Sequence, residues 1–127
     1  MVELIDLYPT LCELAGVAAP DGLDGASLVP MLKDPSAEGK PFAIGRYKSG
    51  DTIRTKVFRY TEFRGKVGGK GGKGPMGLGH AHQKMLFNHA SDPQEHNNIV
   101  KEESSAEVVE RLSIELNENK GKPYEGK

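Results

Sequence analysis

Thr52-Ile53-Arg54-Thr55-Lys56-Val57-Phe58-Arg59-Tyr60-Thr61-Glu62-Phe63 is the stretch that decides the fold. Aromatic and β-branched residues dominate it, and Phe58, Tyr60 and Glu62 alternate with Val57, Arg59, Thr61 and Phe63. A period of two puts alternate side chains on opposite faces of a pleated strand. Residues 52–55 and 57–63 therefore read as two strands of a meander, in an antiparallel sheet with one face covered. Before them, residues 49–51 (Ser-Gly-Asp) read as a turn and residues 42–47 as a strand. After them, residues 84–89 read as a further strand.

Between the last two strands the composition changes. Residues 64–79 run Arg-Gly-Lys-Val-Gly-Gly-Lys-Gly-Gly-Lys-Gly-Pro-Met-Gly-Leu-Gly, with no period and few apolar side chains. This reads as a flexible Gly/Lys-rich loop. Gly69-x-Gly71-x-x-Gly74 satisfies a dinucleotide-binding pattern literally. Pro75 follows it, however, and neither a helix nor a βαβ unit surrounds it. A mobile loop carrying Arg64, Lys66, Lys70 and Lys73 attracts sulfate or phosphate groups by charge. That makes an anion-binding module using this loop the alternative reading of the chain.

Helices flank the sheet. Leu7, Leu11 and Leu14 recur at helical spacing, widened by Ile5, Tyr8, Cys12 and Ala15, which predicts a helix over 7–15. Asp6 stands as its N-cap and Gly16 as its left-handed C-cap. Ser27 is placed to cap a short helix over 28–32, ended by Asp34-Pro35. Near the end, Ser104-x-x-Glu107 has the form of a capping box for a helix over 104–117, with Val108, Val109, Leu112 and Leu116 as its apolar stripe. Residues 118–127 read as a frayed tail. The expected fold class is α+β: a small antiparallel sheet of about four strands, an N-terminal helix and a packed C-terminal helix, in a single domain over 1–127.

Bulk properties narrow the function. A net charge of −1 on 127 residues steers the chain toward neither nucleic acid nor membrane. Leu, Ile, Val and Phe make up roughly a fifth of the residues, which is thin for a domain core and is what a piece of a larger protein has. No signal peptide is expected in the first residues, and no apolar run reaches membrane-spanning length. Cys12 has no cysteine partner and falls on the apolar side of the first helix, where it reads as a small buried hydrophobe. His80, His82, His89 and His96 lack the spacing of a structural zinc set and read as solvated or strand-edge residues.

Several motifs together carry a family resemblance. Val2-Glu3-Leu4-Ile5-Asp6-Leu7-Tyr8-Pro9-Thr10-Leu11-Cys12-Glu13-Leu14-Ala15-Gly16 and Gly22-Leu23-Asp24-Gly25-Ala26-Ser27-Leu28-Val29-Pro30-Met31-Leu32 come first. Thr52-Ile53-Arg54-Thr55 with Arg59-Tyr60-Thr61-Glu62-Phe63 follows, then Leu86-Phe87-Asn88, then Asp92-Pro93-x-Glu95-x-x-Asn98-Ile99. Over about residues 2–115 this order resembles the C-terminal portion of type I sulfatases of the iduronate-2-sulfatase and arylsulfatase kind. Thr52, Phe63 and Met85 stand where that family usually has Ser, Trp and Glu.

The resemblance implies a sulfuric ester hydrolase, with a four-stranded antiparallel sheet and terminal helix as its C-terminal subdomain. It also implies formylglycine, made from a Cys or Ser in a CxPSR-type motif, and a Ca²⁺ ion for the full-length enzyme. This chain carries neither that motif nor the family's paired aspartates, since Cys12 is followed by Glu-Leu-Ala-Gly. No catalytic or metal residue is therefore assigned, and the chain is expected to be inactive alone. Its implied partners are an N-terminal catalytic domain, which it braces, and a sulfated sugar or other sulfate ester. A piece parted from that domain is expected to expose apolar surface. Family members are periplasmic, extracellular or lysosomal. Arg54 and Lys56 are the candidate substrate-binding residues, with packing ion pairs as the other role open to them and to Arg46. Asp92-Pro93 reads as a turn in which the Asp accepts backbone donors, with Glu95 and Asn98 satisfying loose backbone groups beside it.

Overall fold

The computed structural model describes residues 1–47, 50–63 and 83–121. They fall into two units, Met1–Ala43 with the chain's end from Gly121, and Ile44–Lys120. The Gly/Lys-rich stretch, His80, His82 and residues 122–127 lie outside the described residues.

The second unit is built on a sheet of four strands in the order β1-β2-β3-β4. They are β1 Ala43–Tyr47, β2 Gly50–Arg54, β3 Phe58–Phe63 and β4 Gln83–Asn88. β2–β3 and β3–β4 are antiparallel. Register places Ile53 opposite Tyr60 and Tyr60 opposite Leu86. The three form one row across the sheet, each 0% exposed. Helix α3, Ala106–Asn119, packs on β2 and β3 and buries Leu112 and Leu116. The expected four-stranded antiparallel sheet with a packed C-terminal helix is the observed fold.

Three details differ from expectation. Gly50 and Asp51 are strand residues rather than a turn. Gly50 pairs with Phe63, and a Cβ there would lie 2.7 Å from the Phe63 ring, so this glycine serves close packing rather than a bend. Asp51 is held in place by Arg46, whose Nε donates to Oδ1 at 2.6 Å. Secondly, the opposite face of the sheet also holds buried residues, Thr61 and Phe87. Thr61 shares a 2.7 Å hydroxyl hydrogen bond with Thr52, and the Arg59 guanidinium lies over the Phe87 ring. Thirdly, α3 enters through a 3-10 turn, Glu103–Ser105, so the α-helix begins at Ala106, inside the expected capping box, rather than at Ser104. It also runs through Asn119, two residues past its expected end.

The first unit contains a 3-10 turn, Leu4–Asp6, then α1, Leu7–Leu14, and α2, Val29–Lys33. Gly16 has φ +67°, and Val17 N–H donates to Cys12 O at 2.9 Å. This is the left-handed C-cap expected of that glycine. α2 starts one residue later than expected; Ser27 Oγ still accepts the Val29 N–H at 3.2 Å. Asp34 is extended and ends the helix.

Candidate functional site

The α1 N-terminus departs most from the sequence reading. Asp6 does not cap α1. Its carboxylate instead accepts the N–H of Glu3 at 2.8 Å and of Ala26 at 2.9 Å. Lys40 Nζ completes the cage, 2.6 Å from Asp6 Oδ1 and 2.7 Å from Glu3 Oε2. Asp6 is 0% exposed and Lys40 5%. Burial pushes the Asp6 carboxyl up, but Lys40 and the two N–H donors outweigh it and hold the group below its ordinary value. Burial likewise opposes the Lys40 ammonium, and its two carboxylate partners raise it above its ordinary value.

One turn along, Thr10 Oγ1 donates to Asp6 O at 2.5 Å and accepts Leu28 N–H at 2.8 Å. Asp6 and Thr10 thus fasten α1 to the segment leading into α2. A small cavity of about 100 Å³ lies beside Asp6, lined also by Met1, Ser27, Leu28, Pro30 and Lys40. Lys40 escaped the sequence reading, because a single lysine in Gly39-Lys40-Pro41 belongs to no periodic pattern.

The other side of α1 is apolar and open. Leu7, Leu11 and Leu14, the stripe expected to pack, are 50%, 63% and 60% exposed. Cys12, expected to be buried, is only half-buried. The periodicity was a true helical signal; it does not say which face turns inward.

Arg54 and Lys56 sit at the β2–β3 hairpin. The Arg54 guanidinium folds back onto the turn, donating to Thr55 O and, at 3.3 Å, to Phe58 O. Lys56 is exposed in the turn itself. The two are neighbours in sequence, but Arg54 is spent on backbone carbonyls while Lys56 presents its charge to solvent.

A second charged group follows from the Asp92-Pro93 motif. Asp92 accepts His96 N–H at 3.1 Å and Asn97 N–H at 2.8 Å, and these backbone donors lower its pKa. Asn98 extends the edge of β4, accepting Leu86 N–H at 2.9 Å. Glu95 differs from expectation: at φ +58° it turns away from the backbone, ion-pairs with Arg59 and shares a hydrogen bond with the His89 ring. Among the described residues, Arg59 Nε is buried without an acceptor, and the guanidinium lies over the Phe87 ring.

On the covered face of the sheet, Glu62 Oε1 accepts both the Tyr60 and Ser113 hydroxyls at 2.6 Å. Lys84 Nζ stands 3.4 Å away. Burial pushes the Glu62 carboxyl up, but the Ser113 and Tyr60 hydroxyls with the Lys84 charge outweigh it and hold the group below its ordinary value. This group ties α3 to the sheet.

The described residues do not fit a Ca²⁺ site. Among them no group of three or more His, Cys, Asp or Glu could hold a metal ion, and both Asp92 oxygens are taken by backbone donors. The ionic groups described are closed on themselves and read as structural.

No family model matches the chain. Over 114 residues it is 26% identical to delta 4,5-hexuronate-2-O-sulfatase of Bacteroides thetaiotaomicron, a match covering 83% of this chain and 21% of that protein. Over 107 residues it is 29% identical to arylsulfatase K of Xenopus laevis, covering 78% of this chain and 19% of the relative. Among solved structures, a protein bound to its substrate D-glucosamine-2-N,6-O-disulfate superposes with a TM-score of 0.71 at 25% identity. That superposition covers 89% of this chain and 22% of the other. The chain is similar to sulfatases. It spans about a fifth of the length of the sulfatases it matches, and corresponds to a C-terminal part of them. In this structure the motifs singled out in the sequence hold strands, turns and helices together.

Proposed function

We propose that this segment braces the catalytic part of a sulfuric ester hydrolase and hydrolyses nothing by itself. The observation that carries the reading is coverage: most of this chain matches only about a fifth of a sulfatase. The open leucine face of α1 supports it, since a surface of that kind belongs against another surface. The chemistry belongs to the part of a sulfatase outside this chain, where the family resemblance puts the formylglycine and the Ca²⁺. What this chain supplies is a rigid wall: a sheet fixed to α3 through the Glu62 group and through the Ile53, Tyr60, Leu86 row.

The reading extends to the substrate. A sulfated sugar is the class we assign, supported by the disulfated glucosamine in the structural neighbour. Arg54 and Lys56 are its proposed contacts. Lys56, exposed at the hairpin turn, would meet a sulfate or carboxylate directly, while Arg54 holds the turn that presents it.

The test is direct. The purified chain, given an aryl sulfate or D-glucosamine-2-N,6-O-disulfate, is expected to release no sulfate. Release in proportion to the concentration of the chain overturns the proposal.

A further inference from the structure

α1 and the 3-10 turn before it are amphipathic with the polarity reversed. The face turned into their own unit carries Asp6 and Thr10, 0% and 5% exposed, and both are hydrogen-bonded there. The outward face carries Leu4, Leu7, Leu11 and Leu14, at 85%, 50%, 63% and 60% exposure, with Tyr8 beside them at 54%. The leucines follow one another at steps of three, four and three residues, so they share one side of the helix. An isolated surface helix has the opposite arrangement.

We infer that this leucine face is a docking surface, and that its occupant is an apolar surface on the catalytic part of a sulfatase chain. The inference rests on the bracing role proposed above and says where that contact is made. Two observations choose the occupant. About four-fifths of the matched Bacteroides sulfatase lies outside the matched part, so a continuous neighbour exists in that relative. The second observation is area. At roughly 100 Å² of apolar surface apiece, the five side chains present about 500 Å². A stable dimer buries about 800 Å² per partner, which this face alone does not supply to a second copy. A neighbour joined through the backbone has no such threshold, because the connection removes the cost of bringing two bodies together.

The face is tested by placing the same substitutions in two settings. One is the full chain alone. The other is a chimera in which the full chain replaces the matched C-terminal part of the Bacteroides 2-O-sulfatase. Leu7→Lys with Leu11→Lys is expected to leave the melting temperature of the isolated chain unchanged, since both side chains already meet water there. In the chimera the same pair is expected to lower it by about 10 °C or more and to remove most of the sulfate release. Ile114→Lys, at an exposed position on α3, is the control expected to alter neither. A chimera that is stable and active with both lysines in place overturns the docking face and leaves the bracing role standing. A chimera that neither folds nor releases sulfate with the leucines intact overturns the bracing role itself. An equal loss of stability in the isolated chain, or a defined dimer that the lysines abolish, overturns the assigned occupant.

Discussion

The Lys40 ammonium stands 2.6 Å from the Asp6 carboxylate, and both side chains are shut off from solvent. The two residues are far apart in sequence, and their pairing closes the segment around α2 onto the start of α1. Removing one partner leaves a buried charge without compensation. Lys40→Met is therefore expected to cost about 3–5 kcal/mol, measured by urea unfolding of the full chain.

The same pair sets a pH dependence. The folded Asp6 pKa lies below its ordinary value, so its contribution is present above the ordinary carboxylate range, about pH 4, and is lost as pH falls through the lower folded value. The folded Lys40 pKa is raised. Its contribution is present below the ordinary lysine value, about 10.4, and is lost as pH rises through the folded one. Asp6→Asn removes the acid-side loss at this position. The variant is expected to be less stable at neutral pH and to lose less stability than the original chain on acidification, as measured by thermal melts at several pH values.

Gly25 and Gly16 are required for different reasons. A Cβ at Gly25 would lie 2.1 Å from the Ile5 carbonyl oxygen, and backbone cannot step aside there without moving Asp6. Gly16 faces open space, and its need is only its φ of +67°. Gly16→Ala is expected to cost about 1–2 kcal/mol, and Gly25→Ala about 3 kcal/mol, the upper end for an overpacked site. Equal losses in denaturant melts would contradict the steric account of Gly25.

Glu62 joins α3 to the sheet through two hydroxyls. Ser113→Ala removes one of them and is expected to cost about 1 kcal/mol. Glu62→Leu removes the shared acceptor of both hydroxyls and the carboxylate facing Lys84, and is expected to cost about 2–3 kcal/mol. Because both act on one group, the double variant is expected to lose less than the sum of the two. Additive losses would mean that the hydroxyls do not share the carboxylate.

Arg54 and Lys56 are expected to separate. Arg54→Ala loses hydrogen bonds to Thr55 O and Phe58 O and should lower stability by about 1–2 kcal/mol. Lys56→Ala, at an exposed turn position, should change stability by less than about 0.5 kcal/mol. In the sulfatase chimera, Lys56→Ala is expected to raise KM for a sulfated sugar with kcat unchanged. An unaltered KM would remove Lys56 from the substrate contacts.

Much of the fold was legible because it rests on local patterns. Alternation over Phe58–Phe63 reports a strand, and Gly16 after a leucine stripe reports a helix end. Asp92-Pro93 with Asn98 reports a turn returning to a strand edge. The parts that were not legible depend on distant neighbours. Periodicity in α1 marks a stripe of leucines, but the hydrogen bonds of Asp6 and Thr10 decide which side faces inward, and their partners are Ala26, Leu28 and Lys40. Asp6 and Thr10, four residues apart and opposite the leucines, were the available sign of an inverted helix. Gly50-Asp51 read as a turn because a glycine's freedom is a local property, while its contact with the Phe63 ring is not. Glu95 likewise has its partners, Arg59 and His89, outside its own motif.

Sulfate release is the quantity on which the account stands or falls. It is measured for the 127-residue chain, for the Bacteroides 2-O-sulfatase cut before the matched part, and for the chimera that joins the two. The account predicts release from the chimera alone. Release by the chain unaided, or full activity of the cut sulfatase without it, would contradict a supporting role.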